Sequence, residues 1–343
     1  MPRLISEITE IATGLGTLGF ATPDEALVAQ PAELIDVPGE VWDRIVAAWR
    51  SDRHREEFLA GLANGRALLN APDALRGRRP TRVEWRGPSQ SPGDEVTPAD
   101  LRIDHVYLVS CKYLSRITVN ASPSALFERL LTGGQGRRTD PDWFVQVAPA
   151  EHQALYEAVR RHYGSAAESD GTELPMRSRD LDAAQRSTLR SAVPKAWHPE
   201  CADAYEKLSM AVSAASAERW VSALPGVADQ RAMLWRLLRI GAAPYFILGS
   251  ARGRTLRLRV GTPWDWHRAY ELRSFEIVGD GSGQPRVSWS AEIRHRDDRS
   301  PIEVNGHVEI RWSHGRFNRP PEAKVYLDTP HGSVPGYWPL ASV

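Results

Sequence analysis

The sequence predicts an α/β fold in consecutive parts: a compact core, a helical segment and a C-terminal, mostly antiparallel β-rich region. Three observations carry this. Residues 40–66 repeat apolar side chains at helical spacing, with Val41, Ile45, Trp49, Phe58, Leu59 and Leu62. Three short strand-like runs follow, at 82–86, 99–103 and 106–119, and a helix-start signal closes them. From residue 244 onward the chain turns to short apolar-alternating runs separated by turn residues.

Taken in order, residues 1–39 read as an extension containing a weak helix and a Pro-containing connector. The core spans 40–165 and opens with the amphipathic helix at 40–66. The run 106–119 is apolar for most of its first half, as a strand covered on both faces should be. Ser122–Pro123 supplies an N-cap and a first-turn proline, giving a helix over 122–131 closed by Gly133–Gly134. Residues 143–147 form a fourth strand and 149–163 a further helix, so the core order is α-β-β-β-α-β-α. A helical segment at 166–240 follows, with helices near 179–191, 199–221 and 227–239. The β-rich domain at 241–343 has strands at 245–248, 255–260, 272–278, 286–294, 302–312 and 323–327, with turns at Gly279–Asp280–Gly281 and Asn305–Gly306.

Composition narrows the function classes. The 343 residues are 42% hydrophobic and 25% charged, which is ordinary for a globular chain. Formal net charge is zero, so any basic surface is local. The two cysteines, Cys111 and Cys201, make neither a metal-ligand pair nor a disulfide framework, which suits a reducing cytoplasm. The N-terminus, with Glu7 and Glu10, lacks the pattern of a signal peptide, and no apolar stretch approaches the roughly 20 residues that span a bilayer. Lysine is scarce: Lys112, Lys195, Lys207 and Lys324 stand among 43 basic residues. A lysine that arginine has not replaced invites a chemical reason, because an ammonium is a compact charge whose pKa can move.

The informative stretch runs from Pro98 to Lys112 and contains Asp100, Asp104, Ser110 and Lys112. A carboxylate opens one strand and a lysine closes the polar end of the next. Brought together, the two can hold a divalent cation and a water against a phosphodiester. Side chains alternate along strands, so Ser110 and Lys112 share a face. Asp100 joins that face only if the turn between the strands has an odd number of residues; a two-residue turn at Asp104–His105 would send it to the other side. Asp104 is the fallback acid, although it sits where a turn residue belongs.

These residues and this element order resemble the PD-(D/E)XK nuclease superfamily, a restriction-endonuclease-like αβββαβ core. The resemblance covers roughly a third of the chain. Its signature falls on Asp100 and Lys112, whereas the family's second acid falls on Ser110, a departure from the pattern. The resemblance implies a substitute acid, either Glu128 on the helix at 122–131 or Glu84 on the first strand. It further implies Mg²⁺ (or Mn²⁺) held by Asp100 with Glu128 or Glu84, and DNA hydrolysis in a bacterial restriction or phage-defence system. A homodimer, or a protein partner in such a system, is compatible with it.

Plainer alternatives stand beside each assignment. Lys112 and Asp100 can be an ordinary ion pair, Glu128 a solvated helix residue and Glu84 an exposed strand residue. Cys111 is read as a small buried side chain, and Ser110 has no base at readable spacing. The loss of the second acid equally suits a catalytically inactive subunit that binds DNA or scaffolds. The segment Gly14-Leu-Gly16-Thr-Leu-Gly19 matches the letters of a dinucleotide fingerprint but lacks the strand before it, and is read as a loop. Residues 239–319 carry 14 Arg against 9 Asp/Glu, with Arg252, Arg254, Arg257 and Arg259 clustered near Trp264, Trp266, Trp289 and Trp312. That stretch is the expected nucleic-acid surface, against the alternative that the tryptophans are core.

Overall fold

A computed structural model describes residues 2–87, 97–113, 117–131, 142–167, 173–251 and 254–341. In chain order the helices and strands of the first half are α1 (Pro2–Thr17), α2 (Pro23–Ala29), β1 (Leu34–Ile35), α3 (Gly39–Arg50), α4 (Arg55–Asn70), β2 (Val83–Trp85), β3 (Leu101–Ile103), β4 (Tyr107–Tyr113), β5 (Ile117–Ala121), α5 (Pro123–Phe127), α6 (Trp143–Val147) and α7 (Pro149–Ala167). The second half contains α8 (Ala183–Ala192), α9 (Pro199–Ala223), α10 (Val227–Leu237), β6 (Tyr245–Ala251), β7 (Arg254–Val260), α11 (Pro263–Ala269), β8 (Tyr270–Asp280), β9 (Arg286–His295), β10 (Pro301–Arg311), β11 (Glu322–Leu327) and β12 (Tyr337–Pro339). The α/β class stands.

The chain divides into two compact units, each discontinuous in sequence. The first comprises Met1–Ser115, Arg239–Tyr270 and Pro330–Val343; the second comprises Arg116–Leu238 and Glu271–Thr329. The four consecutive segments expected from the sequence, with boundaries at 39/40, 165/166 and 240/241, do not coincide with them.

The first unit is built on a seven-stranded sheet of order β1-β2-β3-β4-β6-β7-β12. β2, β3 and β4 pair antiparallel, whereas β4 and β6 pair parallel, with Lys112 opposite Gly249. A parallel neighbour requires a crossover, and here the crossover carries α5 to α10. One face of the sheet packs on α1, α3 and α4 through Ile8, Ile11, Leu15, Ile45, Phe58, Leu62, Val83, Leu101, Val109 and Leu248. The two longest of these helices, α1 and α4, approach backbone to backbone. A Cβ on Gly65 would stand 2.1 Å from the Thr13 carbonyl oxygen, and one on Gly16 would stand 2.2 Å from that of Leu62. Thr9, Thr13 and Thr17 line the same side of α1 and turn their hydroxyls back onto the helix: Thr13 Oγ1 donates to the Thr9 carbonyl at 2.7 Å, and Thr17 Oγ1 to that of Gly14 at 2.6 Å.

The second unit holds a five-stranded sheet of order β5-β11-β10-β9-β8. Alternate residues such as Val287, Trp289, Ala291, Val304, Val308 and Val325 are buried, and polar residues take the intervening positions. Phe127, Trp143 and Trp220 stack among its helices, with the Trp143 indole N–H donating to Ser216 Oγ at 3.0 Å.

Several expected elements differ. Residues 143–147 form a helix rather than the fourth core strand: Asp142 caps it by accepting from the Phe144 N–H at 3.1 Å, and a five-residue apolar run carries no periodicity that separates the two states. The position beside β4 belongs instead to β6. The single strand expected at 106–119 is two strands in different sheets, β4 and β5. The helix expected at 40–66 is α3 and α4 with a break between, and the helix at 122–131 ends at Phe127, so Glu128 is its C-cap. The predicted Ser122 cap holds, its hydroxyl accepting from the Ala125 N–H. Gly14 and Gly16 lie in α1 rather than a loop. Asn305–Gly306 lies within β10 rather than at a turn, where a Cβ on Gly306 would meet the Trp289 ring at 2.3 Å. The strands expected at 245–248 and 255–260 join the first sheet, not the antiparallel one. Gly133–Gly134 lies outside the described residues.

Candidate functional site

The site is built by the β3–β4 hairpin, whose other face is covered by α1. Ile103 pairs with Tyr107, so the turn consists of Asp104, His105 and Val106, three residues. Asp104 and His105 take left-handed backbone angles, φ 47° and 61°, as a tight turn requires. The odd count meets the sequence's geometric condition: Asp100 reaches back beside β4, accepting from the Cys111 backbone N–H at 2.5 Å and from the Ser110 hydroxyl at 3.3 Å. Lys112 lies within charge–charge range of Asp100. Asp100 and Lys112 are half-buried, whereas Ser110 is fully buried.

Sequence reasoning missed a second acid, Glu10 of α1. Its carboxylate accepts from the Trp85 indole N–H at 2.7 Å and interacts electrostatically with Asp100 and Lys112. Burial, reinforced by the negative charges of Asp100 and Glu7, pushes the Glu10 pKa up to about 8. Burial likewise holds Asp100 above the usual carboxylate range, although Lys112 and the two hydrogen bonds pull it back. The Lys112 ammonium is pushed below its ordinary value by burial, against the opposing pull of Asp100. Burial pushes the Cys111 thiol far up, with Asp100 and Glu10 adding to the effect, so it stays protonated and is no nucleophile. One signal for Glu10 was present in the sequence: acids at positions 7 and 10 sit inside the buried stripe of Ile8, Ile11 and Leu15.

The other expected residues are placed elsewhere. Glu84 shares the Asp100 face by register but is tied to Arg82 at 2.8 Å, to Arg102 at 2.7 Å and to His105 at 3.2 Å. Burial alone would raise its pKa; the hydrogen bonds and charge of Arg102, with Arg82 and His105, hold it below the ordinary value. It is a satisfied structural carboxylate, not a ligand in waiting. Glu128 lies in the second unit, where it pairs with Arg219 and accepts from Gln146 Nε2 at 3.0 Å. Asp104 fastens the hairpin turn, accepting from the backbone N–H groups of Thr81 at 2.9 Å and Arg82 at 3.1 Å and pairing with Arg78 at 2.9 Å.

The proposed basic surface is largely spent internally. Arg257 Nε donates to Asn64 Oδ1 at 2.9 Å, and Arg259 pairs with Asp73 at 3.8 Å while its guanidinium lies over the Trp338 ring. Arg252 and the side chain of Arg254 lie outside the described residues. Trp266 and Trp289 are buried, and Trp312 packs against Phe144, Tyr205 and Phe317, so these three serve packing; Trp264 is 70% exposed.

Two further groups approach Lys112 that the sequence did not single out. Arg239, which precedes β6, repels it, and His331, on a short 3-10 turn before β12, is pushed down to about 4 by burial and then by the Lys112 charge. The His331 imidazole is therefore uncharged at neutral pH.

The fit of this site to a divalent cation can be judged from its donors. Among the described residues no three His, Cys, Asp or Glu side chains converge as a closed metal cage. Mg²⁺ does not need one, since it binds through one or two carboxylates and completes its shell with water and phosphate oxygens. Asp100, held above its ordinary pKa by burial, and Glu10, held above its own by burial and the Asp100 charge, are the carboxylates that a cation would relieve. The residues fit. No protein-family model matches the chain, and neither a curated protein nor a solved structure matches it significantly. Among the described residues no helix is long and apolar enough to cross a membrane.

Proposed function

We propose that the first unit is a restriction-endonuclease-like core and that the chain hydrolyses phosphodiester bonds of DNA with Mg²⁺ or Mn²⁺. The observation that carries the reading is that Asp100 and Lys112 share one face at the open end of the β3–β4 hairpin, with Glu10 of α1 within charge–charge range of both. The element order supports it: an acid-bearing helix, an antiparallel three-strand run and a parallel fourth strand reached by crossover. Glu10, rather than Glu84 or Glu128, supplies the acid that Ser110 does not.

In this reading Asp100 and Glu10 would hold the cation, and a bound Mg²⁺ or Mn²⁺ would supply Lewis-acid activation of a phosphate oxygen and of a water. Cys111 N–H and Ser110 fix the Asp100 carboxylate by two hydrogen bonds, so it is aimed before substrate arrives. Lys112, half-buried and partly stripped of water, orients the attacking water or meets the charge growing on the phosphate. The DNA substrate and a restriction or phage-defence setting rest on the likeness of motif and element order alone.

A second reading, a non-catalytic DNA-binding or scaffolding protein, draws on the missing acid at Ser110 and on the lack of a three-ligand cage among the described residues. One experiment separates the two. Plasmid DNA, labelled single strands and RNA are incubated with Mg²⁺ or Mn²⁺ and wild type, Asp100→Asn or Lys112→Met. Both variants are expected to lose activity by on the order of 100-fold or more while staying folded. Equal cutting by all three removes the site; binding without cutting by wild type favours the scaffold.

A further inference from the structure

The turn end of the β3–β4 hairpin carries a basic cluster that the chemistry above leaves unused. It is assembled on two carboxylates that solvent barely reaches, Glu84 with 5% of its side chain exposed and Asp104 with 11%. One oxygen of Glu84, Oε1, is met by Arg82 Nε at 2.8 Å, Arg102 Nη2 at 3.1 Å and His105 Nδ1 at 3.2 Å. Asp104 Oδ1 accepts from the Arg82 backbone N–H at 3.1 Å, and its Oδ2 pairs with Arg78 Nη1 at 2.9 Å. Direct contacts to two acids therefore gather Arg78, Arg82, Arg102 and His105 into one patch.

The patch is layered. The acids lie beneath, whereas the side chains of Arg78 and Arg82 above them are 58% and 46% exposed. A ligand arriving from solvent meets the guanidiniums and not the carboxylates that hold them. Arg102 lies deeper and grips Glu84 with both Nε and Nη2, so it anchors the cluster. A guanidinium has five N–H donors; Arg82 commits Nε to Glu84 and Arg78 one Nη to Asp104, and each can take a second acceptor. Held from below, these two arginines have less freedom to lose on capturing an oxyanion than unattached surface side chains have. Two observations indicate what carries that oxyanion. Glu84 and Arg102 share the sheet face of Asp100, and Arg102 is two positions along the chain from it, so a polymer lying on the patch also reaches Asp100. The aromatic residue of β2, Trp85, is buried with its indole N–H on Glu10, and offers no platform for stacking bases. Such a surface reads backbone phosphates, which a duplex presents outward.

We propose that Arg78 and Arg82, seated on Asp104 and Glu84, bind the phosphate backbone of double-stranded DNA without regard to its sequence. The choice of a nucleic acid rests on the reading of Asp100 and Lys112 as a phosphodiester site; the layered patch itself does not. The nucleic-acid surface then belongs to the hairpin turn rather than to the arginines at 252–259.

The test measures binding of the full chain to a short labelled duplex by fluorescence anisotropy, without divalent cation and at several salt concentrations. Two unrelated duplex sequences, the corresponding single strand and a polyglutamate of equal charge form the arms. Wild type is expected to bind both duplexes alike, with log K falling linearly against log salt. Arg78→Gln and Arg82→Gln are each expected to make that slope shallower by about 0.9 and to weaken binding roughly 10-fold, and the double variant to show both losses. Lysine at either position keeps the charge and is expected to keep the slope. Arg273→Gln removes an exposed arginine of the second unit, paired there with Glu271, and is expected to change nothing. Absence of duplex binding by wild type, or tighter binding of the single strand or the polyglutamate, overturns the proposal whether or not any variant folds. Folded Arg78→Gln and Arg82→Gln proteins that both keep the wild-type slope overturn it as well. Cleavage that survives Asp100→Asn ends the catalytic reading and leaves the patch intact, whereas slopes that ignore Arg78 and Arg82 end the patch alone.

Discussion

At the residue scale, three carboxylates near one hairpin have been driven in two opposite directions by their surroundings. Asp100 and Glu10 are buried with each other and with one lysine, and both are held above the usual carboxylate range. Glu84 is buried among Arg82, Arg102 and His105 and is held below it. A carboxylate already neutralised by three basic groups gains little from a metal, whereas one raised by burial and a like charge gains much. Glu84→Gln is therefore expected to cost stability, about 2 kcal/mol once the partial exposure of its arginine partners is allowed for, and to leave cation binding intact. Thermal melting and Mn²⁺ titration of the one variant check both halves; a Glu84→Gln protein that melts like wild type but no longer binds Mn²⁺ would restore Glu84 as a ligand. Asp100 and Lys112 were legible because both lie on one hairpin and strand alternation ties them to one face. Glu10 was not, since it is 90 positions from Asp100 and only the docking of α1 brings it there.

At the scale of elements, the position of Glu10 depends on how closely α1 can lie on its neighbours. The crossing of α1 and α4 is made of Gly16, Gly61 and Gly65; the atoms a side chain would strike are backbone at Gly16 and Gly65 and the Ala12 Cβ at Gly61, none of which can rotate away. Gly65→Ala is expected to destabilise by about 1–3 kcal/mol through forced separation of the helices. Gly39→Ala, at the start of α3 with nothing within 4 Å of the new methyl, is expected to be neutral or slightly stabilising. Melting temperatures of the pair check this, and similar values for both would contradict the close-packed crossing. Helix glycines were visible in the sequence, yet Gly14-Leu-Gly16-Thr-Leu-Gly19 read as a loop, because glycine spacing alone does not tell a turn from a helix contact. The strand misread as one run from 106 to 119 failed for a related reason: strand propensity persists where the chain passes from one sheet to another.

At the scale of the whole molecule, folding stability is linked to pH through a histidine in the second unit. His152 is almost completely buried, its Nδ1 2.9 Å from Ser178 Oγ and its ring among Phe144, Trp312 and Phe317. Burial, with the positive charge of Arg186, pushes its pKa down to about 4 from an ordinary value of 6.5. As pH falls below about 6.5 the unfolded chain takes up a proton that the folded one refuses, so stability is full above that pH and declines until about pH 4, by about 3 kcal/mol for this group. Melting curves between pH 7.5 and 4.5 are expected to fall in that window, and more shallowly for His152→Gln. An identical slope in the variant would remove His152 as the cause. The division into two interleaved units was not legible at all: local periodicity locates β6 and β7 well, but which sheet they enter depends on pairing with β4, more than 100 residues earlier.

The proposed chemistry needs Asp100 and Glu10 to hold one divalent cation beside Lys112. Isothermal titration of Mn²⁺ into the full chain, compared with Asp100→Asn and Glu10→Gln, tests this most directly. The expected result is one site per chain in wild type, weakened at least about 10-fold in each variant while all three melt cooperatively. Undiminished binding in both variants, or none in wild type at millimolar Mn²⁺, would contradict it.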